Sequence, residues 1–456
     1  MSPAPTDPKS NKFSNRLRRH GKLGEHWERR GDDDEGTGCV WAVHDQLLVS
    51  KRVSGDVVSW LRRAEIDASP VNDLKRTLVG LDAALDIDIL QLTLPRDRDV
   101  FSVTHDLREE VVPSNRNTVS PNHILIPASW GNACPSGPPS EYDGAIPSPP
   151  TEGFSPAITL IDSGYQWNAH WGGNPLETLL GHDQSVQPGL WPSDTGWAAT
   201  PGDVPDGDHP SKPRRLDALA GHANFAAGEL AQRCYHPRIT IWNHNGSCVG
   251  DDLAHIPTEA AVLNSLLLSQ QLAPTPVILT VFAFNAFESL PAAVWQDTLR
   301  QIEGIHNDNF VLVAPTGNQS STIPRFPAAL PSERVIGVAS LTPDGADCSL
   351  FSNRGTEDEA WVTCSAIGED VVSTFLHVDL VPEEDPEPPG SPRLPYDFAG
   401  HNSWSVWQGT SFAAPKIAAA IANELRNEPR ALDAWAALAA GRPADAEVGM
   451  KFEDLG

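Results

Sequence analysis

The sequence predicts a doubly wound α/β domain with a mostly parallel sheet, preceded by a small α+β module. Three observations carry this reading. From residue 157 onward, short runs rich in β-branched residues alternate with helical patterns. Those runs are apolar throughout rather than alternating, which is what strands buried on both faces of a parallel sheet require. Residues 135–156 separate this pattern from what precedes it, with seven prolines and three glycines. Proline removes a backbone donor and disfavours both helix and central strand, so this stretch reads as a linker.

Residues 1–38 are polar and read as a disordered leader. The first thirty contain no apolar h-region, so no secretory signal is expected. The α+β module at 39–134 opens with a strand at Gln46–Ser50. A helix follows over Ser54–Arg63, with Ser54 or Asp56 near its N-cap and Val57, Val58 and Leu61 on one face. A strand at Leu90–Leu94, a short helix at Val103–Glu110 and a third strand at Asn122–Ile126 complete it. Beyond the linker, strands are expected at Ala157–Ile161, Arg238–Trp242, Pro276–Phe282, Phe310–Ala314, Arg334–Ala339 and Ala360–Cys364. Helices are expected at Asn224–Gln232, Pro257–Gln271, Leu290–Gly304 and Ser411–Arg426. This second domain covers 157–445 and leaves 446–456 as a tail. The acidic, proline-rich stretch at 382–395 reads as a solvated loop within it.

Composition excludes several function classes. Over 456 residues, 60 acids against 33 bases give a formal charge of −27. That opposes nucleic-acid binding, which needs a basic surface, and docking on an anionic membrane. The acids cluster at Asp32–Glu35 and Glu383–Glu387, away from the motifs below, and suit solubility. No stretch approaches the ~18 apolar residues of a spanning helix. Six cysteines (Cys39, Cys134, Cys234, Cys248, Cys348, Cys364) form no CxxC pair, and no HExxH occurs. Free thiols in a reducing cytoplasm are expected, with one or two disulfides as the alternative. No metal and no cofactor are expected.

Ligands of a doubly wound fold sit outside the carboxyl ends of its strands, so the loops there are where chemistry is sought. Four short pieces fall at such places. In TLIDSGY, an apolar strand ends in Asp162 before a Ser163-Gly164 turn. In AGHANFAAGEL, His222 starts a helix whose alanines and Gly228 permit close packing. In APTGN, Asn318 follows Gly317 just past a strand. In GTSFAAP, Ser411 opens a helix that holds Pro415 about one turn in. Alone, each is ordinary: a polar turn, a structural histidine, a capping serine. The functional readings are a carboxylate that orients an imidazole, a general base, and a nucleophile at a helix start where backbone N–H groups are unpaired.

Together, IDSG, GH-x5-G, TGN and GTSFAAP resemble the four signatures of the subtilisin-like serine proteases, the subtilases. The order Asp, His, Ser is the subtilisin order, and the resemblance covers residues ~155–430. It implies that Ser411 attacks the scissile carbonyl, that His222 takes and returns its proton, and that Asp162 holds the imidazole. It implies that Asn318 and the Ser411 N–H bind the oxyanion. It also implies that substrate backbone pairs with Phe282, Ala283 and Phe284 on one side and with Pro315, Thr316 and Gly317 on the other. The module at 39–134 resembles the propeptide domains of the family, which implies a folding assistant and inhibitor cleaved within 135–156. The alternative is an accessory domain that stays attached.

Two departures matter. The family's HGTH reads HANF here, with Ala223 after the histidine. The serine–leucine–glycine–glycine run reads VFAF, so Phe282 and Phe284 are expected to narrow or block a subsite. The family's acidic calcium loops are not recognisable. The resulting expectation is a cytoplasmic, monomeric serine endopeptidase acting on protein or peptide substrates, possessing zymogen control. The alternative is an inactive subtilase scaffold that binds peptides or a partner protein. An α/β-hydrolase esterase needs GxSxG and a different residue order, and is excluded.

Overall fold

The computed structural model describes residues 27–30, 40–71, 86–127, 140–142, 144–145, 147–162, 186–188, 221–243, 258–375 and 404–455. The first part is an antiparallel sheet of β1 (Trp27–Arg30), β2 (Val40–Ser50), β3 (Asp67–Pro70), β4 (Ile87–Thr93) and β5 (Val119–His123). β2 pairs with β1, β4 and β5, and β4 pairs with β3. Two helices, α1 (Lys51–Arg63) and α2 (Val100–Glu110), pack on this sheet.

Several boundaries differ from the sequence expectation, each for a local reason. The polar leader is not wholly without structure, because β1 continues the β2 ladder opposite Val40–Val43. The chain passes from β2 straight into α1, so the helix starts at Lys51 and neither Ser54 nor Asp56 caps it. Its buried face is Val57, Trp60 and Leu61, at i, i+3 and i+4, with Val58 half-buried at the edge. α2 starts at Val100 because Asp99 and Ser102 form a capping box, each side chain bonding the other's backbone N–H. The strand expected at Asn122–Ile126 divides into β5 and β6 (Ile126–Pro127).

Residues 140–141 of the proline-rich linker form β7 (Ser140–Glu141). The large domain then contributes β8 (Ala157–Asp162), β9 (Val186–Pro188), α3 (His222–Arg233), β10 (Arg238–Asn243), α4 (Glu259–Leu272), β11 (Val277–Thr280), β12 (Phe282–Ala283), α5 (Val294–His306) and β13 (Val311–Pro315). It continues with β14 (Val335–Leu341), β15 (Cys364–Ile367), β16 (Val371–Thr374), β17 (Trp404–Trp407), α6 (Thr410–Glu424), α7 (Ala431–Ala439), β18 (Ala444–Asp445) and β19 (Gly449–Phe452).

Nine of these strands form one sheet in the order β18-β19-β15-β14-β13-β11-β8-β10-β9. Every neighbouring pair is parallel except β18 with β19. The fold is therefore α/β with a mostly parallel sheet, after a small antiparallel sheet with helices. The order reverses at β8, which has β10 on one side and β11 on the other, and such a switch point is where doubly wound folds bind ligands. β8, β11, β13 and β14 are buried almost throughout, so both faces are covered. Two helix pairs do the covering, α3 with α6 and α4 with α5.

The apolar run expected as one strand at Pro276–Phe282 serves two sheets. β11 stays in the main sheet, while β12 leaves it to pair antiparallel with β6. The strand expected at Ala360–Cys364 begins only at Cys364, opposite Val338. Before that point Trp361 turns its indole N–H to Thr322 O and the Thr363 hydroxyl accepts the Gly337 N–H, while the Thr363 N–H returns a backbone bond to Gly337 O. α4 starts at Glu259, with Thr258 as its cap. α5 starts at Val294, later than Leu290, because Pro291 follows Leu290 and the Ala293 N–H donates to Asn117 O of the first module. The linker is tied down where β7 pairs with β17.

Among the described residues no helix is long and apolar enough to cross a membrane. Cys234, Cys348 and Cys364 are free. Burial pushes the Cys234 thiol up to about 12 and Cys364 upward as well, which leaves both unreactive. Cys39, Cys134 and Cys248, and the loop at 382–395, lie outside the described residues.

Candidate active site

Asp162 is the last residue of β8 and stands opposite Asn243 of β10. His222 is the first residue of α3. Both are fully buried, and the imidazole Nδ1 lies 2.8 Å from Oδ1 and 3.0 Å from Oδ2 of Asp162. A carboxylate only accepts, so Nδ1 carries the proton and Nε2 is left as the acceptor. Ser163 and Gly164 of the IDSG motif lie outside the described residues.

The small residues of α3 let it sit close to β16. A Cβ on Gly228 would run into the Ser373 and Thr374 hydroxyls. Ala223, in place of the family glycine, is buried in the core. The His222 ring is walled by Trp407, edge-on at 5.8 Å, and by Phe412 at 5.2 Å. These two rings lie outside the expected site, although Phe412 stands inside the GTSFAAP motif.

Ser411 is the second residue of α6 and is fully buried. So early in a helix its N–H has no partner four residues back. Pro415 removes the N–H that would otherwise bond the Ser411 carbonyl. Asn318 lies three residues past β13, on a loop that turns at Gly317 with φ 98°. Its Oδ1 accepts from the Thr410 N–H at 2.9 Å and the Thr410 hydroxyl at 3.0 Å. The Thr410 Oγ1 in turn accepts the Gly317 N–H at 3.1 Å. With Oδ1 taken by Thr410, the amide Nδ2 is the free end of the group. Thr410 was not among the expected site residues, though it adjoins Ser411 in the motif.

Among the buried polar atoms that have no hydrogen-bond partner are His222 Nε2, Ser411 Oγ and Asn318 Nδ2. An unpaired buried polar group costs about 1–3 kcal/mol, so such atoms in a folded chain call for a reason. A base, a hydroxyl and an amide donor, each awaiting a partner, make a set suited to acyl transfer. Among the described residues no cluster of three or more His, Cys, Asp or Glu could hold a metal.

The remaining expected residues fall into two groups. Pro315 ends β13 opposite Val338, and Thr316 and Gly317 continue from it, with the Thr316 N–H on Val338 O at 3.0 Å. Phe282, Ala283 and Phe284 follow β11. The Phe282 and Phe284 rings are both fully buried. Both are packed in the core, Phe284 against Trp295, Phe326 and His123. The outward edge of β12 is instead occupied by main chain, since Ile126 and Pro127 pair with Ala283 and Phe282.

Residues 283–438 match the subtilase family, a span that holds Asn318 and Ser411 and begins after Asp162 and His222. No curated protein matches the chain. Among solved structures, a lanthipeptide protease is 17% identical, with 64% of this chain and 83% of that chain covered and a TM-score of 0.42. A cold adapted subtilisin-like serine proteinase is also 17% identical, with 64% and 83% covered and a TM-score of 0.39. Fervidolysin from Fervidobacterium pennivorans, a keratinolytic enzyme related to subtilisin, is 14% identical, with 91% of this chain and 60% of that chain covered and a TM-score of 0.48. By the family match over 283–438, the chain carries a subtilase-family domain.

Proposed function

We propose that the chain is a serine endopeptidase held inactive by its own N-terminal module. The observation that carries this is the set of unpaired buried atoms on His222, Ser411 and Asn318, beside the bonded Asp162–His222 pair. Ser411 Oγ attacks the scissile carbonyl and His222 Nε2 takes its proton. The same nitrogen returns the proton to the leaving amine. Asp162 fixes the Nδ1–H tautomer and stabilises the cation that forms. Asn318 Nδ2 and the Ser411 N–H receive the charge that develops on the carbonyl oxygen. Thr410 keeps the Asn318 amide in the donating orientation.

The restraint rests on where the module's last described residues run. Ile124 bridges Thr258, and Ile126–Pro127 pair with Phe282–Ala283, the backbone that the family resemblance assigns to substrate. Around this contact the module is anchored by buried polar groups. Arg108, fully buried, donates to Phe287 O at 3.0 Å, to Leu290 O at 3.4 Å and to Glu288 at 3.3 Å. Phe287 packs into the module's own apolar core.

A fluorophosphonate probe on wild type and Ser411→Ala tests the reading. Wild type is expected to be labelled at Ser411 and to accumulate a fragment beginning near 135–156. Ser411→Ala is expected to show neither. Absence of labelling in folded wild type, whole and processed, rejects the peptidase. A single uncut species in both rejects self-processing.

A further inference from the structure

We propose that Asn353 is a positioning residue for the oxyanion site, acting on Asn318 through the loop that carries it. The proposal rests on the peptidase reading above. Asn353 lies 35 residues after Asn318 in the chain, in the run Phe351-Ser352-Asn353, and it is fully buried. Each of its polar groups points at one short segment. Its Oδ1 accepts from the Gln319 N–H at 2.9 Å and the Ser321 N–H at 3.0 Å. Its Nδ2 donates to Thr316 O at 2.9 Å and Gln319 Oε1 at 3.0 Å. Its own backbone N–H donates to Gly317 O at 2.9 Å, and its carbonyl accepts the Thr316 hydroxyl at 3.1 Å.

A primary amide offers two donors and one oxygen with two lone pairs, so this side chain is saturated. All of it is spent on residues 316, 319 and 321, and the backbone N–H adds residue 317. Asn318 is the residue skipped, and its amide is gripped from the other side by Thr410. The loop is thus pinned from within by Asn353, and the buried side-chain donor it leaves unpaired is that of Asn318. Space leaves no slack for this arrangement. A Cβ on Gly317 would lie 2.7 Å from Asn353 Nδ2 and 2.8 Å from Gln319 Oε1.

A donor for an oxyanion works by being in place before charge develops, so small displacements of its support reduce turnover. A residue acting only through Asn318 should lose its effect once the Asn318 amide is gone. The test is a double-mutant cycle in the full chain, with kcat and KM on a peptide p-nitroanilide. Asn353→Ala is expected to lower kcat by about 10- to 100-fold when Asn318 is present, and by under about 3-fold in the Asn318→Ala background. Equal losses in both backgrounds overturn the proposal. If Asn353→Ala fails to fold, Gln319→Ala and Asn353→Asp carry the same cycle. The latter keeps both N–H acceptors and removes the donor pair. Wild type that, once cut free of its N-terminal module, hydrolyses nothing, or no faster than Ser411→Ala, overturns the peptidase reading and this inference with it. Active wild type with multiplicative losses overturns this inference alone.

Discussion

Among the described residues stand two buried histidine–carboxylate pairs of nearly the same geometry. His222 Nδ1 lies 2.8 Å from Asp162, and His123 Nδ1 lies 2.7 Å from Glu259. All four residues are fully buried. The difference is on the far side of each pair. His123 Nε2 accepts the Phe287 N–H at 3.0 Å, and the other oxygen of Glu259 accepts the Trp295 indole N–H at 2.7 Å. Around His222 the far nitrogen has no partner, nor has the hydroxyl of Ser411 or the amide nitrogen of Asn318. A buried imidazole against a carboxylate is therefore not by itself chemistry. What sets the His222 pair apart is a second nitrogen left without a partner, and the proposed chemistry is placed on it for that reason. The closed pair does another task, since His123 comes from β5 and its partners come from the large domain.

Substitution at the two histidines should separate these tasks, with opposite signs on hydrolysis. His222→Ala is expected to lower kcat by about 10⁵–10⁶-fold, because base and acid are lost together. His123→Ala is expected to leave Glu259 buried without its partner and the Phe287 N–H unpaired. Leaving a buried donor or acceptor unsatisfied costs about 1–3 kcal/mol, so the thermal unfolding temperature should fall. The module should also dock less firmly, and hydrolysis by freshly made protein should start sooner. Steady-state kinetics and a melting curve on both variants check this. If His123→Ala loses hydrolysis as His222→Ala does, the contrast between the two pairs is wrong.

The sequence makes one of these pairs visible and hides the other. Asp162, His222, Asn318 and Ser411 stand in short motifs at strand ends and helix starts, where local pattern and position in the fold coincide. The parallel sheet is legible for a similar reason, since strands buried on both faces read as unbroken apolar runs. His123 and Glu259 are single residues, 136 positions apart, with no motif around either. Asn353 and Trp407 are invisible for the same cause: what they do depends on side chains brought near by tertiary packing. The misplaced boundaries are also non-local. β12 leaves the main sheet only because β6 arrives from another module to pair with it. α5 is delayed at a contact with Asn117. The start of α2 is the exception, because the Asp99–Ser102 pair could be read from the sequence.

The smallest expected effect concerns the exposed edge of the same docking surface, and it separates that surface from the buried His123 pair. Glu288 takes His105, Arg108 and Arg116 at once, and its backbone is held at φ 55°, an unfavourable region for a residue with a Cβ. Partial burial raises its carboxyl, but the His105 hydrogen bond, the charge of Arg108 and the hydrogen bonds from Arg116 and Arg108 outweigh this and hold it below its ordinary 4.5. A carboxyl with a lowered folded-state pKa stabilises the fold above its unfolded value, and that contribution is lost as pH falls through the folded one. Docking of the module should therefore weaken under acid conditions below about pH 4.5, and not on the alkaline side. Because Glu288 is partly exposed, the effect near neutral pH should be about 1 kcal/mol or less. Glu288→Gln removes the charge while keeping the shape. Denaturant unfolding of wild type and Glu288→Gln from pH 3 to 7 should show a stability gap near neutrality that closes as pH drops. A gap that stays constant over that range would mean that the three cations hold the module by shape and backbone contacts rather than by the charge of Glu288.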